Sequence, residues 1–282
     1  MTQNFGTLYI VATPIGNLGD LSQRAIETLQ QVDLIAVEDT RHSGKLLHHF
    51  NIQTPMIPLH EYNERERSDK LLERLKQGKN IALISDAGTP LISDPGFHLV
   101  HSVRKSNIKV TPIPGACAAI AALSVSGLPS DQFVFEGFLS SKQIARLKRL
   151  EALKNEVRTM IFYEAPHRIV NMLEDMVSVF GEDRQVVIVR ELTKLYETVY
   201  DDKLSAVLTC LKAHPKQQVG EFVVLVSGAE KMLTDDAEVE RILKILLEEC
   251  STSQAAKLAA KITGGKKNAL YDLALGLCSS EQ

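Results

Sequence analysis

Six consecutive residues, Ser85-Asp86-Ala87-Gly88-Thr89-Pro90, hold a carboxylate, two hydroxyls and a glycine. Glycine lets a ligand approach the backbone closely. Asp86 can accept hydrogen bonds from hydroxyls or carry a counter-charge. The same residues would also serve as a tight strand-to-helix turn. Glu38-Asp39-Thr40-Arg41 gathers two carboxylates, a hydroxyl and a guanidinium. Its alternative is a helix start, with Thr40 as N-cap and Ser43 to Phe50 as the helix. In Pro114-Gly-Ala-Cys-Ala-Ala119, Gly115 and small side chains open a helix whose first amides could cradle a carboxylate. Thr13-Pro-Ile-Gly-Asn-Leu-Gly-Asp20 carries Pro14, Gly16 and Gly19 but is not a GxGxxG fingerprint.

The elements around these clusters share one pattern. Thr7 to Ala12, Asp33 to Val37, Ile81 to Ile84 and Ile108 to Pro112 are short apolar runs. Unbroken runs of this length suit strands covered on both faces. Pro55 to Leu59 adds a shorter one. Leu21, Ala25, Leu29 and Val32 form a helical stripe after the first run, and Leu71, Leu72 and Leu75 another. Asp94 and Pro95 suit the N-cap and first position of a helix that turns Phe97, Val100 and Val103 inward. Ala116 to Val125 is so small and apolar that a buried helix is expected. Parallel strands with right-handed crossovers put the following turns on one edge, where open α/β sheets bind ligands. One pocket lined by all four clusters follows.

Past Gly127 the alternation becomes less regular, which fits a mixed sheet in a second domain. Strands are expected over Phe133 to Leu139, Thr159 to Ala165 and Gln185 to Glu191, with an edge strand from Val199. Gly220 to Gly228 is expected to close that sheet. Lys142 to Glu156 reads as a basic helix carrying Arg146, Lys148, Arg149 and Lys154. The last fifty or so residues lack strands. Helices near Val239 to Leu246, Ala255 to Ile262 and Lys267 to Leu277, broken at Gly264-Gly265, suggest a helix-turn-helix. Lys257, Lys261, Lys266 and Lys267 cluster at that turn, as a solvated face or as a phosphate-contacting patch.

The chain has 282 residues, 44% hydrophobic and 24% charged, with a formal net charge of −3. That composition suits a globular protein with a substantial core and excludes a whole-chain field that attracts nucleic acid. No run is long enough to span a bilayer and the N-terminus lacks a signal-peptide pattern, so a cytoplasmic protein is expected. Cys117, Cys210, Cys250 and Cys278 are too dispersed for a disulfide framework or zinc site. His98 and His101 have no cysteine or acidic partner at ligand spacing, so no metal centre is expected.

Taken in order, several motifs resemble those of the ribosomal RNA small-subunit methyltransferase I group, in the tetrapyrrole methylase superfamily. They are Val11 to Asp20, Glu38 to Arg41, Ser85 to Gly96, Pro114-Gly-Ala116, Phe162-Tyr-Glu-Ala-Pro-His-Arg168, Arg190-Glu-Leu-Thr-Lys194, Gly220-Glu221 and Lys266 to Tyr271. The resemblance implies an α/β, two-domain tetrapyrrole methylase-like fold. Its N-terminal, mostly parallel sheet would span 1–126, its C-terminal mixed sheet 127–230 and a helical tail 231–282. It also implies S-adenosyl-L-methionine in the cleft between the domains, 2′-O-methylation of a cytidine ribose in the decoding centre of 16S rRNA, and a homodimer. By position, Asp86, Gly88 and Thr89 correspond to the cofactor loop. Ala116 and Cys117 correspond to the pair after Pro-Gly that touches the cofactor, with Cys117 replacing the more usual serine. Tyr163 and Glu164 fall on the second domain's cofactor wall, and Pro14 and Gly16 complete the expected contacts.

Methyl transfer to a ribose hydroxyl needs in-line positioning, worth up to about 7–11 kcal/mol. It also needs a base for the hydroxyl proton, worth on the order of 10²–10⁴-fold. Glu38, Asp39, Glu164, Glu191 and Lys194 are the candidates. A neutral lysine would require burial or a neighbouring cation such as Arg190 to depress its pKa. Arg190, Glu191 and Lys194 would equally form an ion-paired network between domains. Arg41, Arg168, Lys257, Lys261, Lys266 and Lys267 would hold phosphates of 16S rRNA or the small ribosomal subunit. Two rivals remain: carbon methylation of a tetrapyrrole, and a non-catalytic ribosome-assembly protein. The basic helix and the tail separate the first from an RNA enzyme, and turnover separates the second.

Overall fold

The computed structural model describes residues 4–229 and 236–279. The chain divides into two compact units, Met1–Ser227 and Gly228–Gln282.

The first unit contains two five-stranded sheets. Strands β1 (Thr7–Val11), β2 (Leu34–Val37), β3 (Met56–Pro58), β4 (Ile81–Ile84) and β5 (Lys109–Ile113) form one, in the order β3-β2-β4-β1-β5. Every pairing in it is parallel. Side chains alternate across a strand, so an unbroken apolar run feeds both faces. Ile35, Val37, Ala82 and Ile84 join one core with Ala25 and Leu29 of α1 (Gln23–Gln31) and Leu47 of α2 (Thr40–His49). Leu34, Ala36, Ile81 and Leu83 join the opposite core with Leu71 and Leu75 of α3 (Glu64–Lys76) and Leu99 and Val103 of α4 (Phe97–Lys105).

The start of α4 departs from the sequence expectation. Its N-cap is Gly96, at φ 129°, and neither Asp94 nor Pro95 lies in the helix. The buried Glu64 carboxylate supplies the cap instead, accepting from the backbone N–H of Gly96 (3.0 Å) and His98 (2.8 Å). A carboxylate at a helix N-terminus satisfies its open amides and complements the helix dipole. Asp94 is thereby released for other contacts. Phe97 is 64% exposed rather than inward, its ring stacked on His101; Leu99 takes the core position.

Strands β6 (Phe133–Phe138), β7 (Thr159–Glu164), β8 (Gln185–Arg190), β9 (Thr198–Lys203) and β10 (Phe222–Val226) form the second sheet, ordered β6-β7-β10-β8-β9. The β6–β7 pair is parallel; β10 runs antiparallel to both β7 and β8, and β9 to β8. The final strand therefore occupies the centre and does not close the sheet. All five β10 residues are apolar and buried, which suits a position covered on both faces. The polar, largely exposed β9 takes the edge.

Met160, Phe162 and Val224 pack with α6 (Gln143–Leu153), α7 (Ile169–Phe180) and α8 (Leu204–Ala213). Ile161, Val187, Val223 and Leu225 pack with Ala119, Ala122 and Leu123 of α5 (Ala118–Val125). The helix that follows the first sheet thus covers a face of the second. It is not wholly buried as expected: Ile120 and Val125 face outward. Nor is α6 a free basic face. Arg146 is buried and pairs with Asp175 at 2.6 Å, and Arg149 holds Glu136 at 2.7 Å.

The second unit is a bundle of α9 (Asp236–Glu249), α10 (Thr252–Thr263) and α11 (Lys267–Ser279) around Val239, Leu243, Ala256, Ala259, Leu270 and Ala274. Gly264, at φ 72°, ends α10 and donates to the Ala260 carbonyl, a left-handed cap that glycine adopts without strain.

Candidate active site

The turns after β1, β2, β4 and β5 are joined by hydrogen bonds. Thr13 and Gly88 exchange two backbone bonds, at 2.8 and 3.1 Å. Asp39 N–H donates to the Asp86 carboxylate at 3.2 Å, and the Thr89 hydroxyl to the Ala116 carbonyl at 2.9 Å. The second sheet reaches the same place. The Ala119 N–H donates to the Tyr163 hydroxyl at 3.0 Å. A Cβ on Gly16 would lie 2.5 Å from Lys194 Cγ, so the first turn meets the segment after β8 only because that residue is glycine.

Between these elements lies a cleft of about 320 Å³. Gly88, Thr89, Ile92 and Asp94 form one wall; Cys117 and Ala118 form a second. Phe138, Tyr163, Glu164, Val189, Leu192, Glu221 and Val223 complete it from the second sheet. Mostly apolar walls with a few converging polar groups are typical of small-molecule sites. Ala116 is not in the lining and acts through its carbonyl. Pro14, Gly16 and Asp86 line a neighbouring cavity of about 310 Å³, with Leu18, His42, Lys45, Leu46 and His49. The wall dividing the two is shared, because Ile15, Ala87 and Gly88 face the cleft.

Three carboxylates crowd this wall. Burial is the main reason that Asp94 is pushed up to about 6. The Ser85 hydroxyl opposes that rise, and the charges of Glu38 and Asp86 add to it. Glu38 is also raised, first by burial and then by Asp86, although it lines neither cavity. Asp39 behaves differently: it caps α2 by accepting from Arg41 N–H at 2.7 Å and pairs with the Arg41 guanidinium at 3.0 Å, which lowers it to about 2. The N-cap is therefore Asp39, one residue before the expected Thr40. Asp39 is thus a poor proton acceptor here, and Arg41 is an exposed partner of it.

Glu164 is buried on the cleft wall. Its Oε1 accepts from Ala165 N–H at 2.8 Å and lies 3.1 Å from Arg168 Nε, while its Oε2 is buried with no hydrogen-bond partner. Burial raises its pKa despite the arginine. A buried acceptor left open in this way fits a ligand hydroxyl or amine. Arg168 also donates to the Leu139 carbonyl, so it is held inward to orient Glu164 and does not stand free for a phosphate. Tyr163 is raised by burial, with Cys117 beside it.

Lys194 lies 2.9 Å from Glu191 and 3.1 Å from Glu221. Burial opposes its charge, but those two hydrogen bonds more than offset that and raise its pKa. A neutral lysine base needs the opposite shift. Burial would likewise raise Glu191, but hydrogen bonds from Lys194 and the Glu221 backbone N–H bring it below its ordinary value. Arg190 donates to the carbonyls of Val219 and Tyr196. The sequence alternative was an ion-paired network between the domains; the ion pairs formed, Lys194 with Glu191 and Glu221, instead stay within 127–230, and Arg190 binds backbone carbonyls.

Asp94 and Glu221 are site residues that sequence reasoning missed. Asp-Pro-Gly imitates a helix start, and only the distant Glu64 shows that it is not one. Glu221 stands in the Gly220-Glu221 motif, but its place opposite Lys194 depends on the central position of β10. Lys257, Lys261, Lys266 and Lys267 are exposed around the α10–α11 turn. None of the four is in an ion pair among the described residues. Also among the described residues, no three His, Cys, Asp or Glu side chains are grouped to hold a metal, and no helix is long and apolar enough to cross a membrane.

A family model described as Tetrapyrrole (Corrin/Porphyrin) Methylases matches residues 7–208, and one described as RsmI C-terminal HTH domain matches 234–277. The chain is 52% identical to Ribosomal RNA small subunit methyltransferase I of Haemophilus influenzae, over 98% of each chain. It is 52% identical to the protein of that name from Escherichia coli O157:H7, over 96% of this chain and 95% of the relative. Among solved structures, diphthine synthase superposes with a TM-score of 0.58 at 17% identity, covering 79% of this chain and 90% of that one. Uroporphyrin-III C-methyltransferase from Thermus thermophilus, complexed with S-adenyl homocysteine, superposes with a TM-score of 0.54 at 16% identity, covering 78% and 97%. The chain belongs to the tetrapyrrole methylase family and, within it, to the ribosomal RNA small subunit methyltransferase I proteins.

Proposed function

We propose that this methyltransferase uses S-adenosyl-L-methionine to methylate the 2′-hydroxyl of a cytidine in the decoding centre of 16S rRNA. The observation that carries the reading is one cleft lined by the Gly88-Thr89 turn and Asp94 from the first sheet and by Glu164, with its open oxygen, from the second. The names of the relatives and the S-adenyl homocysteine in a neighbouring fold supply the substrate class and cofactor.

The cofactor, when bound, supplies a methyl group activated by a sulfonium. Everything else falls to the chain. Gly88 permits close approach of a ligand to the backbone, and Glu164 Oε2 and Thr89 supply polar anchors. Tyr163 and the apolar side chains of Ile92, Phe138, Leu192 and Val223 exclude water. Asp94 takes the hydroxyl proton as the ribose oxygen attacks. A base that titrates near the working pH combines availability with driving force. Glu38 is the second candidate for that role; Glu191 and Lys194 position the segment that meets Gly16.

On this reading 1–126 and 127–230 are the two lobes, and 231–282 is an RNA-binding tail whose four exposed lysines hold phosphates. The protein acts as a homodimer in the cytoplasm. Incubating it with methyl-labelled cofactor and small subunits, then mapping the label, is the test. A mark on a cytidine ribose is expected; a mark on a base, or none, rejects the assignment. Light scattering should give twice the 31.2 kDa chain mass.

A further inference from the structure

We propose that the cavity beneath α2 seats the acceptor strand, binding the ribose-phosphate of one single-stranded RNA nucleotide. This rests on the RNA methylation reading above and adds a site to it. His42, Lys45 and His49 recur at helical spacing, so α2 presents them as one stripe along the cavity. Pro14, Gly16 and Leu18 form the facing wall, and Asp86 lies at the wall shared with the cleft. About 310 Å³ suits a group of nucleotide size.

The stripe differs from four other basic residues of the unit, which are already paired. Arg41 is committed to Asp39, Arg168 to Glu164, Lys194 to Glu191 and Glu221, and Arg146 to Asp175. His42, Lys45 and His49 are exposed and enter no ion pair among the described residues. The Lys45 ammonium is open to an anion, while His42 also feels the Glu38 carboxylate. Polarity also orients the guest. A phosphate would be repelled by Asp86 and drawn to Lys45, whereas a ribose hydroxyl can donate to a carboxylate. The hydroxyl thus points at the shared wall and the phosphodiester at α2. The Thr13–Gly88 bonds join the two turns between the cavities, with Pro14, Gly16 and Asp86 lining one and Ile15, Ala87 and Gly88 lining the other.

The test compares the full chain with Lys45→Gln, Lys45→Arg and the double variant His42→Ala/His49→Ala. Methylation of small subunits gives KM and kcat, binding of a single-stranded 16S rRNA fragment is followed against salt, and calorimetry gives cofactor affinity. Lys45→Gln should raise KM roughly tenfold and flatten the salt slope by about 0.7, the share of one phosphate on a single strand. Cofactor affinity should be unchanged, and Lys45→Arg should restore KM. The histidine pair should raise KM in the same sense. Wild-type methylation with both KM and salt slope untouched in the variants would overturn the cavity assignment alone. A wild-type protein inert on RNA would overturn the functional reading and this site with it.

Discussion

Asp94 is half-buried beside two other acids, and its carboxyl is pushed up to about 6 against an ordinary 3.8. The sign of the resulting stability effect is fixed. A raised acid pKa means that the folded state binds the proton more tightly than the unfolded chain. Below about pH 4 both states are protonated and Asp94 costs nothing; between 4 and 6 stability is lost as pH rises, and above 6 the whole penalty is present. The side chain is partly solvated, so the penalty is about 1 kcal/mol once screening is allowed for. Asp94→Asn should therefore melt higher than the parent at pH 7.5 and equally at pH 4, in paired thermal scans. The same variant should lose on the order of 10²–10⁴-fold in kcat, and the parent's kcat should fall as pH drops through about 6. A substitution that leaves kcat untouched would remove Asp94 from the base role.

Among elements, three contacts join segments far apart in sequence. Glu64 of α3 caps α4, and Glu64→Ala leaves the Gly96 and His98 amides short of an acceptor. About 1–2 kcal/mol should be lost in chemical denaturation, with Glu64→Gln recovering part of it. Arg146–Asp175 is a buried pair joining α6 to α7. Arg146→Ala strands a buried carboxylate and should cost about 3–5 kcal/mol, whereas replacing both partners by apolar residues should cost far less. Gly220 links β10 to the site: at φ 104° an added Cβ would lie 2.6–2.7 Å from the Glu191 side chain. Gly220→Ala should displace Glu191, loosen Lys194 and cut activity more than it cuts melting temperature.

At the scale of the molecule, the charges are distributed rather than pooled. The net charge is −3, yet α10 and the start of α11 carry Lys257, Lys261, Lys266 and Lys267 exposed. Changing all four to Gln should weaken binding to small-subunit RNA at low salt. The salt slope should flatten by about 0.7 for each phosphate that no longer meets a lysine. Cofactor affinity, measured by calorimetry, should stay unchanged because the cleft residues belong to the other compact unit. An unaltered slope would remove the tail from the RNA interface.

Period and punctuation determined a great deal unaided. Apolar runs of four or five residues must feed two cores, so the parallel sheet, its crossover helices and the turns at one edge were legible from β1 to β5. Resemblance across ordered motifs did the same for the family. What the sequence could not decide were matters of which distant group comes near. Asp-Pro-Gly is locally a good helix start, and only Glu64, far earlier in the chain, frees Asp94 for the cleft. Arg146 and Lys194 look like part of a basic face or a base until folding brings Asp175 and Glu221 beside them. A β10 that pairs between β7 and β8, rather than at an edge, puts Glu221 there. Local propensity acts over a few residues, whereas desolvation and ion pairing act through space, so the chemistry of this site was settled only by the tertiary fold.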